Sequence, residues 1–143
     1  MEITPDMIKL MRDRLPPKVL DFLHEAGDAA ERRGQRLCLV GGAVRDLLLG
    51  CETLDIDLVA EGDAVGLAQE LAAAREARPT VHARFGTAAF RFGDFDVDVA
   101  AARTESYPRP GALPTVNPGP IEDDLVRRDF AVNAMAVFLN SAR

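Results

Sequence analysis

Four short stretches of this chain place acidic, basic and glycine residues at spacings that suit phosphate chemistry. Asp55-Ile56-Asp57-Leu58-Val59 alternates carboxylate and aliphatic residues. In a strand, alternate side chains share a face, so Asp55 and Asp57 project together. Two carboxylates that close repel unless a cation lies between them. Mg2+ takes hard oxygen ligands, commonly one or two carboxylates plus substrate phosphates. Phe95-Asp96-Val97-Asp98-Val99-Ala100 repeats the pattern. If the two strands are neighbours, Asp96 or Asp98 completes a cluster that can hold two metals about 3.5–4 Å apart for in-line displacement at phosphorus. Leu39-Val40-Gly41-Gly42-Ala43-Val44-Arg45-Asp46 ends a strand in two glycines and begins a helix at once. Glycines let backbone N–H groups approach a ligand, and a helix N-terminus favours an anion. Arg45 in that first turn opposes the helix dipole, which makes better sense with a phosphate between them. Finally, in Asp124-Leu125-Val126-Arg127-Arg128-Asp129-Phe130-Ala131-Val132-Asn133-Ala134, Asp129 can cap a helix on which Asn133 follows four residues later. Arg127 or Arg128 would meet phosphate, while Asp129 and Asn133 would meet a sugar.

Each stretch also has a plainer reading. The glycine pair can be a strand–turn–helix junction with Arg45 salt-bridged to a nearby Asp. The two acidic strands can be solvated strand ends. Asn133 can be an amide bonded to backbone within a core helix, since a buried polar group needs a partner. The close succession of the glycine turn and the first acidic pair favours the phosphate-and-metal reading.

These residues need a scaffold. The pattern predicts helices over residues 5–14 and 19–33, with breaks at Pro16-Pro17 and Gly34. It predicts strands over 36–40, 55–60, 80–84, 87–92 and 95–100. Short helices follow over 44–49, 63–74, 121–126 and 130–139. Residues 104–120 hold five of the nine prolines together with Gly111 and Gly119, which predicts a mobile or irregular loop. The result is an α+β (mixed α/β) domain of about five strands.

Composition bounds the rest. The 143 residues are 48% hydrophobic, enough for one core without disulfides or a structural metal. No apolar run approaches the roughly 20 residues needed to span a bilayer. The charged, amphipathic N-terminus is unlike a signal peptide. Cys38 and Cys51 make neither a disulfide scaffold nor a zinc site, and a reducing cytoplasm is the expected setting. A net charge of −6 argues against a self-sufficient nucleic-acid binder. Yet the cations are fifteen Arg against two Lys, and Arg suits bidentate phosphate contact. With two Ser and two His, a Ser-His hydrolase is not expected.

Taken in order, G-G-A-V-R-D-L-L-L-G, D-I-D-L-V, the strand through Asp98 leading to A-A-A-R-T-E, and R-R-D-F-A-V-N-A-M-A resemble the head domain of the class II tRNA nucleotidyltransferase and bacterial poly(A) polymerase family. The likeness runs from about Leu37 to Val137. It implies a nucleotidyltransferase fold of the polymerase-β type. It implies that Gly41, Gly42 and Arg45 bind triphosphate, and that Asp55 and Asp57 hold Mg2+. Asp98, rather than Asp96, takes the place of the family's further acidic residue. Arg103 begins a region similar to the family's flexible catalytic loop. Arg127, Arg128, Asp129 and Asn133 match the motif that holds the nucleotide, the last two facing its ribose.

Two departures stand out. Ala131 replaces the usual Thr, and nothing after Asn133 matches the base-reading helix of the family's neck domain. The resemblance therefore implies a division into a helical lead-in (1–36), a head domain (37–126) and a final motif helix opening a truncated neck (127–143). It implies an excised head, inactive or weakly active alone. The expected reaction is attack of an RNA 3′-hydroxyl, from tRNA or another RNA, on the α-phosphorus of ATP or CTP with loss of pyrophosphate.

Two competitors stand beside this. D-I-D-L-V also satisfies the haloacid-dehalogenase-like phosphatase pattern. However, Gly50-Cys51-Glu52-Thr53 is a poor apolar strand before the first Asp, and no Lys follows Lys18. The other competitor is a non-catalytic nucleotide-binding or subunit-pairing module.

Overall fold

The computed structural model describes residues 13, 15–40, 55–106, 109–111, 115–122, 124 and 136–140, with the side chains of 104–106, 115, 116, 136 and 137 left out. The elements run α1 (Pro17–Arg32), β1 (Leu37–Val40), β2 (Asp55–Ala60), α2 (Ala64–Ala73), β3 (Thr80–His82), a 3-10 turn (Ala83–Phe85), β4 (Thr87–Phe92), β5 (Phe95–Ala101), β6 (Arg103–Ser106), β7 (Thr115–Pro118) and β8 (Ala136–Phe138). The main sheet has the order β3-β4-β5-β2-β1-β8, and β6 and β7 form a separate two-stranded ribbon. The β2–β5 pair is parallel; the other neighbours are antiparallel.

Local chemistry sets the helix limits. Pro17 occupies the first turn of α1, where its missing N–H costs nothing and its φ is already helical. The helix ends in a Schellman motif. Gly34, at φ +69°, donates to the Glu31 carbonyl at 3.1 Å, and Gln35 donates to the Ala30 carbonyl at 2.9 Å. Asp63 caps α2, its carboxylate accepting the Gly66 N–H at 2.9 Å.

Both helices cover one face of the sheet. Val19, Phe22, Leu23 and Ala26 of α1 and Leu67 and Leu71 of α2 meet Leu37, Leu39, Ile56, Leu58, Phe90, Val97 and Val99 in one buried core. Helix α1 thus shares one core with the sheet. The opposite face carries a smaller cluster of Cys38, Val40, Val59, Ala102 and Ile121 against Phe138. Asp55, Asp57, Asp96 and Asp98 stand on this same face.

Two expected elements are corrected. Residues 104–120 carry the expectation of a mobile or irregular loop, and the structure instead pairs Arg103 with Pro118 through Ser106 with Thr115. Prolines are compatible with this ribbon because each of its strands is an edge, and Pro118 closes the ladder rather than interrupting it. Residues 136–138, expected to be helical, form β8 against β1. The uniformly apolar run there carries no period, so length and propensity could not separate helix from strand. Pairing with β1 satisfies backbone groups that would otherwise lie on a bare sheet edge. A smaller revision is that the strand expected to reach residue 84 ends at His82 and gives way to the 3-10 turn. The expected helix over 5–14 apart from Asp13, that over 44–49, and residues 130–135 of the last one lie outside the described residues.

Candidate active site

The carboxylates converge because β2 and β5 run side by side in register. Asp55 pairs with Asp96 and Asp57 with Asp98. Neighbouring strands lie about 4.8 Å apart, and paired residues share a face. All four acids therefore stand on the sheet face turned away from α1 and α2. This is the end of β2 where burial falls off, Asp55 being exposed and Asp57 half-buried.

The two residues of β5 differ in their partners. Arg91, opposite Asp96 on β4, makes an ion pair with it at 3.3 Å. Asp98 faces Ala89 on that side, so no cation reaches it from β4. Its carboxyl is pushed above the usual range, first by partial loss of hydration among the strands, then by the charges of Asp96 and Asp55. A carboxylate crowded in this way gains from a nearby cation. This separation supports the choice of Asp98 over Asp96 as the third acid.

The strand on the other side supplies the geometry that the glycine turn requires. Val40, the last residue of β1, pairs with Asp57. Gly41 follows it directly in the chain. Ala136, three residues after Asn133, pairs with Val40 from β8. The chain thus departs toward the glycine motif, and returns from the Arg-Arg-Asp motif, beside the same carboxylate. Gly41, Gly42, Arg45, Arg127, Arg128, Asp129 and Asn133 themselves lie outside the described residues.

Arg103 is the last sequence-derived site residue. It opens β6 at the end of β5, and its N–H donates to Asp124 Oδ2 at 2.8 Å. Asp124 is fully buried. Sequence reasoning passed it over, although its place three residues after the buried Ile121 would put it on the same helical face. A second feature missed from sequence is the Arg36–Glu61–Glu122 network. Arg36 meets Glu61 at 2.7 Å and Glu122 at 2.6 Å. Glu61 Oε2 also accepts the Ile121 N–H at 2.9 Å. The Arg36 guanidinium holds Glu122 down to about 2 and Glu61 below its ordinary value. These contacts tie Ile121 and Glu122 to the end of β2, and Asp124 to the start of β6.

Among the described residues, no three His, Cys, Asp or Glu side chains form a compact metal cage. Mg2+ does not need one, since it keeps waters and takes phosphate oxygens beside one or two carboxylates. Asp55 and Asp57 fit that requirement.

Asp55 and Asp57 on one strand and Asp96 and Asp98 on its parallel neighbour thus stand level with one another, beside a strand that leads toward paired glycines. The model of the poly A polymerase head domain family matches residues 37–143, and the chain belongs to that family. It is 49% identical over 105 residues to the A-adding tRNA nucleotidyltransferase of Aquifex aeolicus, covering 73% of this chain and 13% of that protein. It is 42% identical over 138 residues to the A-adding tRNA nucleotidyltransferase of Halalkalibacterium halodurans, covering 96% of this chain and 32% of that one. A CCA-adding enzyme in its apo form II superposes with a TM-score of 0.82 at 38% identity, covering 92% of this chain and 31% of the other. A tRNA nucleotidyltransferase complexed with a primer tRNA and an incoming ATP analog superposes with a TM-score of 0.69 at 40% identity, covering 82% and 32%. The fold is the polymerase-β-type nucleotidyltransferase fold that the resemblance implied, its five expected strands joined by β8. The chain spans about a third or less of the length of these relatives. Family membership sets the phosphatase alternative aside.

Proposed function

We propose that this chain is the catalytic head of a template-independent RNA nucleotidyltransferase, transferring AMP, and in some settings CMP, from the triphosphate to an RNA 3′ end such as that of tRNA. The observation that carries the reading is the register itself, with Val40, Asp57 and Asp98 side by side on three adjacent strands. Relatives named A-adding and a neighbour solved with primer tRNA and an ATP analog support the same substrates.

In this reading Gly41, Gly42 and Arg45 hold the triphosphate, and Arg127, Arg128, Asp129 and Asn133 orient the nucleotide. Asp55 and Asp57 are the residues that would hold Mg2+. When bound, the ion supplies neutralisation of triphosphate charge and a more acidic attacking hydroxyl. Asp98, more basic than an ordinary carboxylate, stands ready to accept the hydroxyl proton. The 3′-oxygen forms its bond to the α-phosphorus as the bond to the β-phosphate oxygen breaks, and pyrophosphate leaves. The rest of the acceleration comes from positioning. A cytoplasmic setting belongs to this reading. It accords with the buried thiol of Cys38, which burial pushes up to about 12. Among the described residues no helix is long and apolar enough to cross a membrane.

The test is titration of ATP into the chain with and without Mg2+. The parent should show Mg2+-dependent binding, and the Asp55→Asn/Asp57→Asn variant should lose that dependence. Mg2+-dependent binding that survives the double substitution defeats the assignment.

A further inference from the structure

We propose that the cleft between the 3-10 turn and the β6–β7 ribbon is a binding site for single-stranded RNA, with Phe85 as a base-stacking platform and Arg84 and Arg103 as phosphate contacts. The proposal rests on the transferase reading only in naming RNA as the acceptor; the site itself is separate from the carboxylates. The cleft has a volume of about 230 Å³ and is lined by Arg84, Phe85, Gly86, Ala101, Arg103 and Asn117, among others.

Three observations point to RNA. First, Phe85 is 57% exposed, and the only other exposed large hydrophobic side chain among the described residues is Val81, on the adjoining strand. The exposure is built in. Gly86 takes a left-handed φ of +64°, its carbonyl accepts the Ala101 N–H at 2.9 Å, and this holds the turn with Phe85 outward. Second, the Arg84 guanidinium lies 5.7 Å from the Phe85 ring centroid, leaving the other ring face for a base. An aromatic platform flanked by arginine is the usual means of holding unpaired bases without sequence preference. Third, the charge here runs against the chain as a whole. No Asp or Glu occurs between Glu76 and Asp94, whereas Arg78, Arg84, Arg91 and His82 fall in that interval, in a protein of net charge −6. Among the described residues, neither Arg84 nor Arg103 has an ion-pair partner. Arginines without an ion-pair partner among the described residues, beside an exposed aromatic ring, suit a polyanion.

Ala101 lies three residues beyond Asp98 on β5, about 10 Å along the strand. Ala101 packs on the α1–α2 side of the sheet, opposite to Asp98, so the turn is a surface of its own and an RNA on it reaches Asp98 only around the end of β5.

The experiment is fluorescence anisotropy of a short fluorescein-labelled single-stranded RNA against the 143-residue chain over a range of salt, with Mg2+-dependent ATP binding measured in parallel. Phe85→Ala should weaken RNA binding about five-fold or more. Arg84→Gln should weaken it and flatten the log–log salt slope by about 0.7. Both variants should keep the parent's ATP binding and melting temperature. RNA binding unchanged by Phe85→Ala, or absent from the parent, overturns the proposal. So does a change in sedimentation mass or melting temperature in that variant, which marks a protein-facing or structural Phe85. Loss of RNA effects with ATP binding intact defeats this site alone. Loss of Mg2+-dependent ATP binding in the parent defeats the transferase reading instead.

Discussion

Gly27 offers a sharp test of how the two ends of the described chain meet. It is buried in the middle of α1, and a Cβ placed on it would lie 2.5 Å from the Leu139 carbonyl oxygen. A mid-helix Gly→Ala exchange ordinarily gains about 1 kcal/mol in helix propensity. Overpacking a filled site costs about 1–3 kcal/mol. The obstructing atom decides between them. It belongs to main chain that cannot swing aside, because the Leu139 N–H donates to the Leu37 carbonyl at 2.8 Å. The next residue is equally tied. Asn140 accepts the Leu37 N–H at 2.7 Å and donates to the Gln35 carbonyl at 2.7 Å and to Glu31 at 3.0 Å. A 2.5 Å contact with fixed main chain belongs at the upper end of that range, about 2–3 kcal/mol, so after the helix gain of about 1 kcal/mol Gly27→Ala should destabilise by about 1–2 kcal/mol. At about 2.1 cal/mol/K per residue over 143 residues, that is a fall in melting temperature of about 3–7 °C. Calorimetry measures the fall, and amide exchange locates it. Leu37 and Leu139 should lose protection before the β2–β5 pair does, because the latch that yields is β8 on β1. A variant as stable as the parent, or more so, refutes the reasoning, since helix propensity would then have outweighed the contact.

Other consequences concern charge. Asp98→Asn should raise the melting temperature slightly at pH 7. A carboxyl whose value is raised in the fold favours folding only while protonated, so the advantage should vanish as pH falls below the ordinary carboxylate range near 4. Equal or lower melting temperature at pH 7 would contradict the crowding described for the acidic face. Arg36→Gln should cost up to about 1 kcal/mol near neutrality. Glu61 and Glu122 are depressed by Arg36, so their contribution is present above the ordinary Glu value and lost as pH falls toward about 2. Parent and variant should therefore converge in acid, and a gap that persists at low pH would show that Arg36 acts through packing on Phe138, 5.5 Å from its guanidinium, instead.

Much of the fold was legible because its signals are local. Pro17 and Gly34 delimit α1 through their own backbone preferences, Asp63 caps α2, and the glycines at 86 and 93 mark turns at positive φ. The five strands expected from alternation all form. The ribbon and β8 were not legible, because they depend on partners far away in sequence. Thr115–Pro118 needs Arg103–Ser106, and Ala136–Phe138 needs β1. Asp124 and the Arg36 network escaped for the same reason, each joining residues 21 or more apart in the chain.

Residue types and the two-residue period of a strand, both local properties, already put Asp55 and Asp57, like Asp96 and Asp98, on one strand face. It took the packed fold to lay β5 parallel to β2 with Asp98 level with Asp57, to give Asp96 to Arg91, and to set Val40 beside the acids from the other side. Register is chosen by the core, where a one-residue slip would turn Val97 and Val99 to water and Asp98 into the apolar contact with α1 and α2.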